Sequence, residues 1–499
     1  MTSRRDCLKT AAALGGGLAL PALAQTEAAS AAPAASAAAA PRPRAPQRPA
    51  VPAAGTAASA APAAPAIPPL AAQPARAWQN WSGLQRCEAA WLLPTSEEQL
   101  AASLPALQGP IRCVGAGHSF TALVPTPGTL ISLDRLSGIV EVDKAAMTVR
   151  VKAGTRLGTL ARELDAQGLA LHNQPDIDVQ TLAGALSTGT HGTGLTLPAL
   201  HAEVQALRLL TPQGELKEAS RLKEPELFDA ARVSLGALGV ITEYTLRVRP
   251  RYMLRRKVWL ERTESLLERA PTLARESRHF ELYVLPFTGY AAGITHIEVP
   301  PGAPERPHSA DENVLADLQK LRDWLGRWPQ LRRWAAAKLI DPAQTEHALD
   351  WSHKLLSTAR PTRFNETEYH LPREQGLPCL RAVVAQLEKR NEVFFPLEFR
   401  WVRADHAWLS PFFERDSCSV AVHAKAGEAH DYLLGEIGPI FQRHGGRPHW
   451  GKLHTLGARE LAALYPRFKD FQQLREQLDP RGRLLNSHLQ QIFAGAPRA

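Results

Sequence analysis

The fold is decided by the segment Thr181-Leu182-Ala183-Gly184-Ala185-Leu186-Ser187-Thr188-Gly189-Thr190-His191-Gly192-Thr193-Gly194, which follows Gln174-Pro175-Asp176. Small residues and hydroxyls at this density leave backbone N–H groups accessible and leave room for a flat ligand or for phosphates. A simple surface loop would also be rich in glycine, but it need not alternate threonine and glycine so regularly around one histidine. The segment therefore predicts a ligand-binding loop.

A second glycine-rich loop, Val114-Gly115-Ala116-Gly117-His118-Ser119-Phe120, follows the predicted strand 111–114. Its glycines allow backbone N–H groups to approach a pyrophosphate closely. Phe120 stands where the nicotinamide dinucleotide fingerprint has its third glycine, and no clean β-α-β unit follows, so a Rossmann domain is disfavoured. Taken alone, this loop is also compatible with a plain strand-to-turn connection.

Together the two loops resemble the vanillyl-alcohol-oxidase (PCMH-type) FAD-binding domain, in the branch of aldonolactone oxidases and alditol oxidases. The resemblance implies an α+β fold in two parts. A PCMH-type FAD-binding domain spans 77–252 and is completed by a C-terminal return over 446–499. An α+β substrate, or cap, domain spans 253–445. Leu484-Leu485-Asn486-Ser487-His488-Leu489 resembles the family element that packs back on the FAD domain.

FAD is the cofactor that the resemblance implies, and no metal is expected. In relatives the histidine of the G-x-G-H-S loop is bonded to the 8α-methyl of the flavin, so His118 is the implied covalent attachment point. Binding in which His118 only forms a hydrogen bond to FAD stays open. The implied cofactor-binding residues are Val114, Gly115, Ala116, Gly117, His118, Ser119, Phe120, Asp176, Thr181, Gly184, Ala185, Thr188, Gly189, Thr190, His191, Gly192, Gly194, Val240, Ile241, Asn486 and His488.

The predicted strand Pro396-Leu397-Glu398-Phe399-Arg400-Trp401-Val402 alternates, which places Glu398 and Arg400 on one face and the apolar residues on the other. His423 and Lys425 share a face of the next predicted strand, so both strands could present charged groups to one cavity. An exposed ion pair on a strand is the alternative.

Three elements strengthen the resemblance on the substrate side. Glu398-x-Arg400 matches the family pair above the flavin, and His449-Trp450-Gly451-Lys452 resembles the family H-W-x-K element. The segment 363–372 resembles a signature of the sugar-lactone branch, but it could be a strand with an exposed acidic face, so Glu366 and Glu368 are not assigned to catalysis. The implied catalytic set is Glu398, Arg400, Lys452 and His423.

The implied reaction is oxidation of a hydroxyl group of a sugar 1,4-lactone or a polyol, with hydride transfer to the flavin. Lys452 and Arg400 would stabilise developing oxyanion charge, and Glu398 would position the hydroxyl or accept its proton. Molecular oxygen or an electron carrier would reoxidise the flavin. Alditol oxidases have a serine where this chain has Ala185, which favours a lactone over a polyol.

The N-terminus predicts export. Arg4-Arg5, the apolar run 11–20 and the small residues before Gln25 resemble a twin-arginine signal over 1–24, with an ordinary secretory signal as the alternative. We therefore expect a periplasmic or secreted protein without a membrane span after cleavage. Residues 25–76 are mostly alanine and proline and predict a disordered tether. Residues 77–499 carry 51 basic and 47 acidic side chains, too small an excess to indicate nucleic-acid binding.

Four cysteines remain after cleavage, at positions 87, 113, 379 and 418, without zinc or redox spacing. Three other functions stay open. An oxygen-insensitive sugar dehydrogenase could use the same fold, and a periplasmic carbohydrate-binding protein could have lost redox activity. A cell-wall precursor reductase is also conceivable, although such reductases are cytoplasmic, which the predicted signal disfavours.

Overall fold

The computed structural model of the protein describes residues 67–306, 311–340, 343, 345–358 and 360–493. The predicted signal, 1–24, and most of the predicted tether lie outside the described residues. The first strand begins at Gln73, so the last four residues assigned to the tether are in fact part of a sheet. Within the described residues, no helix is long and apolar enough to cross a bilayer.

Two small sheets form the first part of the described chain. The four-stranded sheet has the order β1-β2-β4-β3, and the five-stranded sheet has the order β5-β6-β10-β8-β9. A further pair, β7 with β11, ties the chain together near the domain boundary. The strands are β1 Gln73–Gln79, β2 Arg86–Leu92, β3 Ile111–Val114, β4 Thr129–Ser132, β5 Ile139–Asp143, β6 Thr148–Lys152, β7 Leu169–Ala170, β8 Val204–Leu210, β9 Leu216–Ser220, β10 Val240–Arg247 and β11 Arg249–Pro250.

Four helices connect these strands, and their ends follow local chemistry. The helix α1 begins after Ser96, whose hydroxyl accepts a hydrogen bond from the Gln99 N–H. The helix α2 ends before Gly168, whose φ of +78° suits a glycine cap. The helices are α1 Glu97–Ser103, α2 Leu157–Ala166, α3 Leu182–Ser187 and α4 Pro225–Ala231.

One eight-stranded sheet dominates the second part, with the order β15-β12-β14-β13-β17-β18-β16-β19. All its pairings are antiparallel, so residues opposite one another share a face. The strands are β12 Met253–Arg262, β13 His279–Leu285, β14 Tyr290–Val299, β15 Thr345–Trp351, β16 Phe364–Pro372, β17 Leu397–Val402, β18 Ser417–Lys425 and β19 Arg447–Pro448.

The predicted alternation in β17 is confirmed. Leu397, Phe399 and Trp401 are buried in the main hydrophobic core, together with apolar residues of the helices α5 and α9. Glu398 and Arg400 point to the opposite face and line a cavity. The remaining helices are α5 Thr263–Glu276, α6 Asp311–Leu325, α7 Pro329–Leu339, α8 Ser352–Leu355, α9 Gly376–Leu387, α10 Gly438–Arg443, α11 Ala458–Leu464, α12 Phe468–Leu478 and α13 Ser487–Phe493.

The C-terminal segment returns to the first glycine loop, as expected. Asn486 Nδ2 donates hydrogen bonds to the carbonyls of Ala122 and Pro125, both at 2.8 Å. Arg112 on β3 is buried, and its guanidinium donates to the carbonyls of Leu123, Leu235, Gly236 and Leu484. One side chain therefore joins three distant segments of the chain. The four cysteines named above are all free thiols.

We expect Arg112→Met to destabilise the protein by about 3–5 kcal/mol, because removing the guanidinium leaves buried carbonyl groups without donors. The melting temperature should fall by several degrees. Arg162→Met, at an exposed position of α2, is the matched control and should change stability by less than about 0.5 kcal/mol. Equal melting temperatures for the two variants would contradict this role of Arg112.

Candidate active site

A cavity of about 480 Å³ lies between the two glycine-rich loops and one face of the eight-stranded sheet. The loops 114–120 and 180–191 form one wall. Side chains of the sheet and the segment 449–452 form the facing wall. The two loops that sequence analysis singled out therefore meet the predicted catalytic residues in one space.

The glycine wall fits a dinucleotide cofactor. A Cβ at Gly115 would lie 2.2 Å from Thr181 Oγ1, so only glycine lets the two loops meet. Gly117 has a φ of +70°, which other residues rarely adopt. Gln180 lines the cavity, and its buried Oε1 has no hydrogen-bond partner in the part of the chain that the structure describes. Exposed backbone beside an unsatisfied amide suits the phosphates and ring edge of FAD.

His118 lies at the junction of the two walls. Its ring stacks on Trp81, with the ring centroids 5.1 Å apart and an interplanar angle of 22°. Burial, together with the nearby charges of Lys452 and Arg156, lowers the pKa of His118 to about 4. The imidazole is therefore neutral at neutral pH and keeps one nitrogen lone pair available.

The turn 449–452 is hydrogen-bonded to both walls of the cavity. The Phe120 N–H donates to the Gly451 carbonyl at 2.7 Å, and Thr121 Oγ1 donates to the Trp450 carbonyl at 2.8 Å. On the other side, the His449 N–H donates to the Glu368 carbonyl at 3.0 Å. Lys452 is thereby held in the cavity wall between the loop of His118 and the strand β16.

Glu366 and Glu368 on β16 are buried in the cavity wall, which excludes the alternative of a strand with an exposed acidic face. Glu366 forms an ion pair with Lys452, and Glu368 Oε2 lies 3.9 Å from Lys452 Nζ. Burial raises the pKa of Glu366 against the opposing effect of Lys452. Burial alone would lower the pKa of Lys452, but the two carboxylates outweigh it and raise that pKa.

Glu368 also contacts the second glycine loop. His191 Nε2 lies 2.9 Å from Glu368 Oε1, and His191 Nδ1 lies 2.8 Å from the Gly192 carbonyl. Because a carbonyl only accepts, Nδ1 carries a proton. His191, Glu368 and His370 each offer one possible metal-ligand atom, and these atoms lie within 4.8 Å of one another. The ligand atoms of a tetrahedral metal lie only about 3.3 Å apart. Here His191 and Glu368 are already hydrogen-bonded to each other, so the observed geometry is that of a hydrogen-bonded cluster.

Arg400 is the centre of a second charged cluster. Its Nε donates to Glu281 on β13 at 2.7 Å, and it forms an ion pair with Glu398. The Tyr283 hydroxyl donates to Glu398 at 2.7 Å. Burial would lower the pKa of Arg400, but Glu398 and Glu281 outweigh this effect and raise it, so the guanidinium is charged.

Asp176 joins this cluster to the FAD region. Arg360 Nε donates to Asp176 Oδ2 at 3.1 Å, and Arg400 Nη2 lies 3.6 Å from Asp176 Oδ1. Burial raises the pKa of Asp176, but the two guanidinium groups outweigh it and lower that pKa. Asp176 was predicted to bind the cofactor. Arg360, Glu281 and Tyr283 were not predicted, because nothing in their local sequence marks them.

Of the two candidate residues on the second predicted strand, β18, only one lines the cavity. His423 lines the cavity, and its Nδ1 lies 3.2 Å from the Pro396 carbonyl. Burial lowers the pKa of His423 to about 4, so the ring is neutral, and its Nε2 lies 3.7 Å from Glu366 Oε1. Lys425, at the end of β18 opposite Phe364, does not line the cavity, although it shares a face with His423.

Most predicted cofactor-binding residues line the cavity, but seven do not. Those that line it are Val114, Gly115, Ala116, Gly117, His118, Ser119, Phe120, Asp176, Thr181, Gly184, Thr188, Thr190, His191 and Ile241. Those that do not are Ala185, Gly189, Gly192, Gly194, Val240, Asn486 and His488. Asn486 instead supports the segment 122–125 by hydrogen bonds. Ala185 is fully buried, so its missing hydroxyl is no argument for a lactone over a polyol.

The face of the sheet that lines the cavity changes character from strand to strand. One row of opposed residues is Val258, Ile294, Glu281 and Arg400, and the next row is Leu260, Ala292, Tyr283 and Glu398. In these rows the residues on β12 and β14 are apolar and those on β13 and β17 are polar or charged, whereas Arg256 of β12, His296 of β14 and Glu346 of β15 add polar groups at the far edge of the cavity. We call the part of the cavity near Lys452 and Arg400 its charged half, and the part at Val258, Leu260, Ala292 and Ile294 its apolar half.

Comparison with known families agrees with this geometry. Residues 244–492 match the family described as D-arabinono-1,4-lactone oxidase, and residues 89–220 match the FAD binding domain family. The first range covers the eight-stranded sheet and the turn 449–452. The second range covers both glycine-rich loops.

Individual relatives match over most of the chain. An L-gulono-1,4-lactone dehydrogenase of Mycobacterium tuberculosis is 35% identical over 83% of this chain and 99% of that protein. An L-gulonolactone oxidase of Bos taurus is 30% identical over 83% of this chain and 98% of that protein. An alditol oxidase of Streptomyces sp. is 32% identical over 77% of this chain and 91% of that protein.

Solved structures show the same fold at lower sequence identity. A solvent-stable cholesterol oxidase superposes with a TM-score of 0.69 at 16% identity, covering 84% of this chain and 97% of that chain. The sequence matches, the glycine-lined cavity and the fold agree. The chain therefore belongs to the vanillyl-alcohol-oxidase, PCMH-type flavoprotein family, in the branch of aldonolactone and alditol oxidases, and is an FAD-dependent oxidoreductase.

Proposed function

We propose that this flavoenzyme oxidises a hydroxyl group of a sugar 1,4-lactone, with oxygen as the expected electron acceptor. The observation that carries the proposal is one cavity in which the FAD loops face Lys452, Arg400 and a set of carboxylates. A sugar lactone offers several hydroxyl groups and a carbonyl, and a wall of buried polar side chains can bind all of them.

The charges of the wall favour an uncharged substrate. The charged half of the cavity holds five carboxyl groups (Asp176, Glu281, Glu366, Glu368 and Glu398) but only three cationic side chains (Arg360, Arg400 and Lys452). An anionic sugar acid would meet repulsion from the unbalanced carboxylates, whereas a neutral lactone or polyol would not.

Each charged side chain has a distinct task in the proposed reaction. FAD, when bound, supplies the acceptor for the hydride that leaves the substrate carbon. Lys452 and Arg400 hold the substrate oxygen and stabilise its developing negative charge. Glu398 positions the hydroxyl or accepts its proton, and burial, together with Asp176 and Glu281, raises its pKa despite Arg400. Glu366 holds Lys452 charged and oriented, a role that the sequence did not indicate.

An alditol is the second candidate substrate, because one of the relatives is an alditol oxidase and a polyol is also uncharged. The acceptor could instead be a separate carrier, since the relatives include both a dehydrogenase and an oxidase by name. Peroxide formation in air, measured against reduction of a dye, would separate oxygen from a carrier. A colourless purified protein would favour the non-catalytic carbohydrate-binding alternative.

We propose that His118 forms a covalent bond to FAD. A neutral, partly buried imidazole stacked on Trp81 is a fixed nucleophile, because its lone pair is not protonated. The family resemblance of the G-x-G-H-S loop supports the same role.

Anaerobic mixing with an aldono-1,4-lactone should bleach the visible flavin absorbance of the holoenzyme. The same sugar after hydrolysis to the open-chain aldonate should bleach it at least about 10-fold more slowly, or ~1.4 kcal/mol. Lys452→Met should slow bleaching by the lactone by about 100-fold or more. Faster bleaching by the aldonate than by the lactone would exclude the proposed substrate class.

Acid precipitation of the protein should leave the yellow colour in the pellet. His118→Ala should release the flavin into the supernatant, because the carbon–nitrogen bond can no longer form. His488→Ala is the matched control, since His488 is also a buried histidine of lowered pKa but lies outside the cavity. Colour in the supernatant of the unmodified protein would show that FAD is bound without the bond.

The alkaline limb of the pH profile should depend on Glu366. Lys452 acts in its protonated form, and Glu366 helps to raise its pKa, so kcat/KM should fall only as pH rises through that elevated pKa. In Glu366→Gln, burial remains but the paired carboxylate is lost, so the pKa falls and the alkaline limb moves to lower pH. Glu374→Gln, at an exposed position near the end of β16, should leave the limb in place. If the alkaline limb is unchanged in Glu366→Gln, Glu366 does not control the charge state of Lys452.

A further inference from the structure

The helices α6 and α7 form a hairpin that exposes three tryptophans. Trp324, Trp328 and Trp334 are 58%, 59% and 61% exposed, and Leu331 between them is 45% exposed. Trp324 and Trp328 flank the turn of the hairpin, where the Trp328 N–H donates to the Leu325 carbonyl. A concentration of large apolar side chains on one projecting element marks an interaction surface.

The exposed residues face directly away from the protein. On α7, Leu331 and Trp334 are three residues apart and share one side of the helix, whereas Arg332 and Ala336 on the opposite side are buried. Arg332 anchors the buried side, because its guanidinium donates to the carbonyls of Asn391 and Val393. The outward direction of the tryptophans is therefore set by packing on the other side of α7.

Among the described side chains near this surface, the acidic groups are paired and two cations are left without an acidic partner. Asp317 pairs with Lys320, Asp323 with Arg322, and Glu388 with Arg333. In the described ranges, Arg327 at the turn and Lys338 near the end of α7 have no ion-pair partner. Tryptophan combined with unpaired cations is typical of segments that lie in the headgroup region of anionic bilayers.

The same hairpin also contributes to the cavity wall. Val314 and Leu315 of α6 line the apolar half of the cavity, together with Val258 and Leu260 of β12. Val314 is itself 40% exposed. The helix α6 therefore carries cavity-lining residues near its start and the exposed Trp324 near its end.

We propose that the α6–α7 hairpin docks the enzyme on the surface of an anionic lipid bilayer. The tryptophan rings enter the interfacial region, and Arg327 and Lys338 contact the headgroups. This attachment is peripheral and is independent of the reaction proposed above, because no side chain of the charged cluster takes part in it.

Flotation of the full-length holoenzyme with vesicles tests the proposal. The protein should bind vesicles that contain phosphatidylglycerol more tightly than pure phosphatidylcholine vesicles, and high salt should weaken the binding. The combined variant Trp324→Ser, Trp328→Ser, Trp334→Ser should bind at least about 10-fold more weakly. Its melting temperature and flavin content should be unchanged, because the substituted side chains are exposed.

A control and two outcomes decide the result. Leu222→Ser removes an apolar side chain that is 99% exposed but lies outside the hairpin, and it should leave vesicle binding unchanged. Equal vesicle binding by the triple variant would overturn the proposal. Sedimentation velocity that shows a dimer of the parent protein and a monomer of the triple variant would assign this face to a second copy of the chain and would also overturn it.

Discussion

The short turn 449–453 is the constraint on which the rest of the site depends. Its backbone accepts a hydrogen bond from Phe120 in the first glycine loop and donates hydrogen bonds to the carbonyls of Glu366 and Glu368 on β16. The first glycine loop, 114–120, and the strand β16 are far apart in the sequence. Because backbone groups make these contacts, the turn sets the spacing between the two walls almost independently of side-chain identity. Lys452 is carried on this turn and therefore lies between both walls.

Burying so many charged groups lowers the stability of the fold, and the proposed ligand binding accounts for their presence. An ion pair in a protein interior rarely stabilises the fold more than apolar residues of the same size would. Here the pairs are also unbalanced, with more carboxyl groups than cations in the charged half of the cavity. A protein that needed only a stable sheet would place apolar residues on this face, as β12 and β14 do at Val258, Leu260, Ala292 and Ile294. The charged half is therefore maintained for a ligand, and its members fix one another in orientation.

Local sequence predicted the parts of the site that depend on local geometry. The alternation in β17 was sufficient to assign Glu398 and Arg400 to one face, and the glycine pattern was sufficient to locate His118. The same alternation in β16 indicated that Glu366 and Glu368 share a face, but not that the face is buried, because burial depends on which strand lies beside it. The pairing of Asp176 with Arg360 joins positions 184 residues apart. Lys425 shares a face with His423, and Ala185 lies within the second glycine-rich segment, yet neither lines the cavity, because local sequence does not indicate where the cavity ends.

Strand order explains why the cavity has two halves. The order β15-β12-β14-β13-β17-β18-β16 places Val258, Leu260, Ala292 and Ile294 of β12 and β14 on one side of β13, and Arg400, His423 and Glu366 of β17, β18 and β16 on the other. A small sugar needs only the second group of side chains, which is also the group beside Lys452 and the glycine loops. In the first group, Leu260 packs on the same buried apolar cluster as Leu315 of α6. Polarity along one sheet face thus separates the side chains that recognise hydroxyl groups from the apolar side chains beside α6, and a single open sheet can hold both because opposed residues in each row share that face.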